Sequence, residues 1–381
     1  MSNHVYITKS AKFFPNEPIS NEEMEDYLGL INDKASKSKR IILRNNGIKR
    51  RFYALDKNGE HTHTNSQMTS LAVRALFDYD AEALKKIDLI SCGTSTPDQM
   101  MPSHGVMVHG WLPETNAIEV VSPSGVCCAG MHAFKYAYMA IKLGDAKLAV
   151  ATGSERASGV LRGDLFEEEA KKLEALEGNG YVGFEKDFLR WMLSDGAGAF
   201  LLSNEKNDKG LSLRIEWMEG VSYAHQIEPC MYMGGEKVED GDLKSYMDYS
   251  PQEIMDGSIM SIKQDVKLLG DYIVPLGFDK LKLIFEKRGL TVDQVDYFLP
   301  HMSSEFFRSK IADKLKENGM AIPQEKWFTN LSSVGNVGAG SIYMMVEELM
   351  YSGKLQKGQT ILLAVPESSR FSYMFGMLTV C

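Results

Sequence analysis

The chain has 381 residues, 44% of them hydrophobic and 24% charged, with a formal net charge of −9. This length suits one large α/β domain or two modest ones and excludes a peptide-sized module. The acidic balance argues against a general nucleic-acid binder, which needs a net basic surface, and no run approaches the roughly eighteen apolar residues of a membrane-spanning helix.

The N-terminus lacks a basic region followed by an apolar core, so neither a secretory signal nor a transit peptide is expected and the protein reads as cytoplasmic. In chain order, a helix is predicted over residues 22–28 behind Asn21 as N-cap. Residues 34–51 then carry Lys34, Lys37, Lys39, Arg40, Arg44, Lys49, Arg50 and Arg51 with no acidic residue among them. That stretch is either a solvated face or a landing site for phosphates or a small acidic partner. A helix over 66–77 presents Met68, Leu71, Ala72, Ala75 and Leu76 on one side. Strands follow over 89–92 and 117–121, then a helix over 130–143 that is apolar nearly all round, then strands over 147–151, 197–202 and 211–217. Residues 256–288 read as two helices broken near Pro275. A strand over 297–299, a helix over 340–351 and strands over 360–365 and 375–380 complete the alternation, which is that of an α/β protein. The charged segment 164–190 and the polar, Met- and Gly-rich segment 225–252 read as insertions, as lids or dimer arms. A polar stretch over 204–210 is the candidate joint between two halves.

The five cysteines (Cys92, Cys127, Cys128, Cys230, Cys381) form no CxxC pair, which points to reduced thiols and not to zinc. His61 and His63 lack a second ligand pair at zinc-like spacing. The most informative segment is Ser122-Pro-Ser-Gly-Val-Cys-Cys-Ala-Gly-Met-His-Ala-Phe, where a strand runs through a Gly-containing turn into two cysteines and a helix. A thiol there faces the positive end of a helix dipole, which favours thiolate and makes it a nucleophile candidate; the alternative is a pair of small core cysteines. Downstream, Tyr297-Phe-Leu-Pro-His301 places an imidazole at a strand's carboxyl end, and Ser332-Ser-Val-Gly-Asn336-Val-Gly-Ala-Gly-Ser places a Gly-flanked Asn before a helix. Each residue alone has a structural explanation, but together they form an ordered Cys, His, Asn set.

On these segments, with Gly153-Ser-Glu and Ser194-Asp-Gly-Ala-Gly-Ala in the same order, the chain resembles the thiolase superfamily and, within it, condensing enzymes similar to β-ketoacyl-acyl-carrier-protein synthase III. The resemblance implies a thiolase-like fold: two pseudo-repeated halves, 1–205 and 206–381, with mixed sheets in αβαβα layers, in a homodimer. The family's nucleophile precedes an Ala/Ser-Gly pair and so maps onto Cys128; His301 and Asn336 match the other catalytic positions. It implies a Cys-bound acyl group and a second thioester whose enolate is stabilised by His301 and Asn336. The tetrahedral oxyanion would be held by the Cys128 N–H and the loop at Ser368 and Ser369. No metal or redox cofactor is implied. Phosphopantetheine arrives on acyl carrier protein or coenzyme A, which Lys37, Lys39, Arg40, Arg44, Lys49, Arg50 and Arg51 would bind.

One departure stands out. Where the family usually has a run of glycines, this chain reads Val365-Pro-Glu-Ser-Ser-Arg-Phe. Glu367 either serves as a base near the substrate, points to solvent or pairs with Arg370. Asn45 also replaces an Arg of the family. With Asn46-Gly-Ile-Lys-Arg-Arg and the Pro-Glu-Ser-Ser-Arg-Phe-Ser-Tyr ending, the chain looks like dialkylresorcinol-forming ketosynthases of bacterial pigment pathways. That likeness implies joining a β-ketoacyl thioester to an unsaturated acyl thioester and closing a cyclohexanedione ring. Decarboxylative initiation with malonyl carrier protein, a non-catalytic partner subunit and a thioester hydrolase or acyltransferase are the competing readings.

Overall fold

The structure is a computed structural model that describes residues 4–36, 38–167 and 189–381. Nine strands make the main sheet: β1 (Tyr6–Phe13), β2 (Leu89–Thr94), β3 (Glu119–Val121), β4 (Leu148–Glu155), β5 (Gly196–Ser203), β6 (Leu213–Ser222), β7 (Tyr297–Pro300), β8 (Thr360–Glu367) and β9 (Ser372–Val380). Their order is β7-β8-β9-β6-β1-β5-β4-β2-β3. The pairs β2–β3, β2–β4 and β7–β8 are parallel and the others antiparallel, so each half is a mixed sheet. Within the sheet the two halves join where β1 pairs with β6, Tyr6 opposite Arg214 and Ile7 opposite Leu213.

The principal helices are α1 (Lys39–Asn46), α2 (Asn65–Leu76), α3 (His104–Gly110), α4 (Cys127–Leu143), α5 (Val266–Arg288), α6 (Phe306–Glu317) and α7 (Ser341–Met350). Period-2 alternation sorts the strand side chains into layers. Ile90, Val150, Ala199 and Leu201 face α2 and α3, whereas Leu89, Ala149, Ala151, Phe200 and Leu202 face the middle. In the other half Leu299, Ile361, Leu363, Val365 and Leu378 face the same middle layer, and Phe298, Leu362, Ala364 and Phe375 face α5 and α6. The middle layer is α4 and α7, buried on both sides, which explains why α4 is apolar nearly all round. The result is the αβαβα arrangement of a thiolase-like fold.

Three expectations are corrected. Pro275 does not divide residues 256–288 at its own position: α5 runs through it, and a separate short helix, Pro251–Asp256, precedes it. The missing proline N–H is tolerated because the turn is tied from outside. The Tyr373 hydroxyl donates to the carbonyls of Ile273 (3.0 Å) and Tyr272 (3.4 Å), and Leu269, Phe278 and Leu281 bury on either side of the proline. Asn21 is not an N-cap; it donates to the Ile48 carbonyl and accepts from Arg51, and the helix begins at Met24. Helix α4 starts at Cys127, so both cysteines lie in its first turn. Residues 225–252 include the ribbon Gly235–Lys237 with Leu243–Ser245. Of the segment 164–190, residues 168–188 lie outside the described residues.

Two glycines let the layers touch. A Cβ at Gly153 of β4 would lie 2.1 Å from the Ala339 carbonyl oxygen, and one at Gly130 of α4 would lie 2.2 Å from the same atom. Gly153→Ala is therefore expected to cost about 1–3 kcal/mol by overpacking against backbone, read as a lowered urea midpoint.

Candidate active site

Strand β8 gathers the site. The backbone N–H of His301, just past the end of β7, donates to the Ala364 carbonyl at 2.8 Å, and the Cys128 thiol donates to the next carbonyl, Val365, at 3.3 Å. Two residues further on, Glu367 Oε2 accepts the N–H groups of Val126 (2.9 Å) and Cys128 (3.0 Å), and its Oε1 accepts the Ser369 hydroxyl (2.9 Å). Glu367 is buried. It neither points to solvent nor pairs with Arg370, whose Nε donates to the Ile227 carbonyl instead. The Cys128 N–H expected to face a substrate oxyanion is thus occupied by a carboxylate.

This changes the electrostatics of the nucleophile candidate. The N-terminus of α4 favours an anion, but Glu367 already supplies one. Burial, and after it the charge of Glu367, push the Cys128 thiol well above its ordinary value, so the expectation of a thiolate stabilised by the helix is overturned. Cys127 is pushed up as well, by burial and then by Glu367 and Glu155. Cys127 and His301 both line the cavity, and Cys128 is not one of its lining residues. His301 is buried and driven down to about 4 by desolvation, so at neutral pH its imidazole is uncharged and available as a hydrogen-bond donor.

Asn336 arrives from the other half. Its carbonyl accepts the Ser194 N–H (2.9 Å) and its N–H donates to Met192 (3.0 Å). Its Oδ1 accepts the Gly338 N–H at 2.9 Å in a turn that Gly338 makes at φ +48°, leaving Nδ2 to donate. Ser368 lines the cavity and accepts from the Gln264 amide (3.1 Å); the Ser369 carbonyl accepts the N–H groups of Cys230 and Met231. The loop that carries Glu367 is therefore fastened to the segment around residue 230.

Sequence reasoning missed the part played by Glu155 at the end of β4, although the Gly-Ser-Glu segment held the signal. Its buried carboxyl accepts the Ser95 hydroxyl (2.7 Å), the Thr96 hydroxyl (2.7 Å) and the Ala339 N–H (3.1 Å), so it supports the turn that holds Asn336. Desolvation raises it to about 7 against those hydrogen bonds.

The basic stretch is divided. Arg40, Arg44, Lys49 and Arg50 are exposed on and after α1, whereas Lys37 lies outside the described residues. Lys39 is half-buried in an ion pair with Glu25 at 2.7 Å. Arg51 is fully buried and donates to Asn21, so it is removed from the carrier-binding set: in the short strand Arg50–Arg51 alternate residues face opposite sides, and this one faces in. The segment borders the site. The Ser304 hydroxyl donates to Asn45, the Glu305 N–H to Asn46, and the Lys49 N–H to Ser332.

Residues 285–365 match the family described as 3-oxoacyl-[acyl-carrier-protein (ACP)] synthase III C terminal. The chain is 25% identical over 360 residues to the β-ketoacyl-[acyl-carrier-protein] synthase III of Chlorobaculum tepidum, covering 94% of each chain. It is 26% identical to the Neisseria gonorrhoeae enzyme of the same name, covering 94% of this chain and 93% of that one. Among solved structures it superimposes on a tetronic acid condensing enzyme, AbyA1, with a TM-score of 0.74 at 18% identity, covering 98% of this chain and 99% of that one. Xanthomonas campestris OleA, solved with bound lauric acid and lauroyl-CoA, gives 0.72 at 18%, with 99% and 98% covered. Among the described residues no helix is long and apolar enough to cross a membrane.

Because Glu155 is raised from 4.5 to about 7, its contribution to stability is full below pH 4.5 and is lost as pH rises through about 7. Glu155→Gln removes this titration. The stability of the variant relative to wild type is expected to improve by roughly 3 kcal/mol between pH 4.5 and pH 8, in urea titrations across that range.

Proposed function

We propose that this chain, a β-ketoacyl-acyl-carrier-protein synthase III-like acyltransferase of thiolase-like fold, joins a Cys128-bound acyl group to the carbanion of a second acyl thioester. The observation that carries the reading is the convergence on β8: Cys128 on the Val365 carbonyl, His301 on the Ala364 carbonyl, and Glu367 on the Cys128 N–H.

In the first half-reaction the Cys128 sulfur attacks the acyl carbon of a thioester, and its proton passes to Glu367. Protonation weakens Glu367 as an acceptor and frees the Cys128 N–H for the oxygen that becomes negative. The tetrahedral intermediate collapses, the carrier sulfur leaves, and the proton on Glu367 follows it. In the second half-reaction neutral His301 and Asn336 Nδ2 donate to the oxygen of the incoming thioester. The regenerated Glu367 carboxylate takes a proton from its α-carbon, and the carbanion attacks the acyl-Cys carbon. The bond to Cys128 breaks and its sulfur takes the proton back. A second deprotonation of the same kind permits ring closure to a cyclohexanedione when the partners are a β-ketoacyl and an unsaturated acyl thioester, the dialkylresorcinol-type outcome. Glu367 supports this over decarboxylative initiation, because loss of carbon dioxide makes the carbanion without a base.

Exposed Arg40, Arg44, Lys49 and Arg50 beside the site suit coenzyme A phosphates or an acidic carrier protein. OleA, solved with lauric acid and lauroyl-CoA bound, supports a fatty acyl thioester as the substrate class. A second copy of the chain would pair on the sheet edge at β3, next to the exposed Val106 and Trp111.

Intact-protein mass spectrometry with octanoyl thioester is expected to show an acyl adduct that Cys128→Ala abolishes and Cys127→Ala retains. Glu367→Gln should slow product formation from a β-ketoacyl donor by about a hundredfold or more. An adduct that persists in Cys128→Ala, or an unchanged rate in Glu367→Gln, would overturn the assignment.

A further inference from the structure

A cavity with about 840 Å³ of empty space, its open mouth included, begins at Cys127, His301 and Ser368 and continues beneath α5 and α6. Its floor is the outer face of the C-terminal strands, where Phe298, Ala364, Pro366 and Phe375 lie on one side of the sheet. Phe298 is level with Leu362, so the floor below Ser368 extends six strand residues, roughly 20 Å at about 3.3 Å each. Its roof is Gly277 and Leu281 of α5 with Leu315 of α6. The polar groups cluster at the mouth. Beyond them the walls are carbon, apart from the far-end Lys314, whose ammonium turns over the Phe278 ring at 5.6 Å.

The roof is thinned where the cavity passes under it. Gly277 has no side chain, and a Cβ there would meet the Tyr373 ring at 2.8 Å. Tyr373 in turn points its hydroxyl into the turn before Pro275. The apolar groove reaches the proposed reaction centre at His301. Its form, polar at the mouth and apolar along its length, matches a molecule with a reactive head and an alkyl tail.

Two tails are available in the reaction proposed above. A chain on Cys128 would start from a fully buried sulfur that is not part of the cavity lining and donates to the Val365 carbonyl. The thioester held by His301 starts at the mouth itself. We infer that the groove between the outer face of β7, β8 and β9 and helices α5 and α6 seats the alkyl tail of the second, carbanion-forming acyl thioester. The inference rests on the reading of His301 as the donor to that thioester, and it names the substrate class: a β-ketoacyl thioester with a medium-length or longer chain. A malonyl donor has no tail to place there.

The test separates binding from chemistry. In Cys128→Ala protein, affinities for butanoyl-, octanoyl- and dodecanoyl-pantetheine are measured by calorimetry. Affinity is expected to rise at least tenfold from butanoyl to octanoyl. Leu281→Trp should erase that rise and leave butanoyl affinity unchanged, and Leu281→Ala should move the preference towards dodecanoyl, which keeps the test decisive if the tryptophan variant does not fold. Affinity independent of chain length, or a length dependence that neither Leu281 variant alters, overturns the inference. In protein with Cys128 intact, Leu281→Ala should change which β-ketoacyl donors are used without changing which acyl groups load onto Cys128. A shift in loading would assign the groove to the Cys-bound chain and also overturn it. Absence of any acyl adduct on the wild type would count against the condensing reading instead, and the binding result would still decide the groove.

Discussion

The Ala339 carbonyl is the point against which both halves of the molecule close. Its oxygen lies where a Cβ on Gly130 or Gly153 would have to be, so helix α4 and strand β4 reach it only because both positions are bare. The N–H of the same residue donates to Glu155, and the Tyr343 hydroxyl, from the helix that follows, donates to the Gly130 carbonyl at 2.7 Å. Cys128 lies two residues before Gly130 and Asn336 three before Ala339. Residues far apart in sequence thus inherit their positions from one backbone contact, with little room for either to move alone. Preorganisation of this kind is what a site needs if it is to act on charge that appears only during reaction.

Much of this was legible in the sequence. Strands 89–92, 147–151, 197–202 and 360–365 announced themselves by apolar runs, since a strand buried on both faces has no polar alternation to hide it. The ordered Cys, His and Asn segments were legible because each sits at a strand end or a Gly-rich turn. β1 was not, because Thr8, Lys9, Ser10 and Lys12 break its pattern, and yet it is the strand that joins the two halves. Its place is decided by pairing with β5 and β6, which is tertiary information. The continuity of α5 through Pro275 was hidden for the same reason, since the tyrosine that ties the turn comes 98 residues later in the chain. Charge misled in a different way. Eight basic residues in a row of eighteen read as a surface, but Arg51 turns inward and Lys39 is held by Glu25, so the exposed field is narrower than the composition implies.

The charge state of the site follows from burial more than from the groups themselves. Desolvation holds His301 neutral and Cys128 as a thiol, and it works against Glu155 as an anion. Three hydrogen-bond donors converge on Glu367: the N–H groups of Val126, which caps α4, and of Cys128 in its first turn, and the Ser369 hydroxyl. In the proposed reaction one of those donors, the Cys128 N–H, is also the one that the tetrahedral oxyanion would use, so carboxylate and intermediate would compete for the same end of α4. The competition resolves itself if the carboxylate is the base: once it has taken the thiol proton, its claim on the Cys128 N–H falls as the oxyanion's rises. A glycine run in this place would leave the N–H groups open throughout and offer no acceptor for a proton. In the proposed reaction, Glu367 in this place would couple deprotonation to oxyanion binding, which suits a carbanion made by removing a proton from carbon.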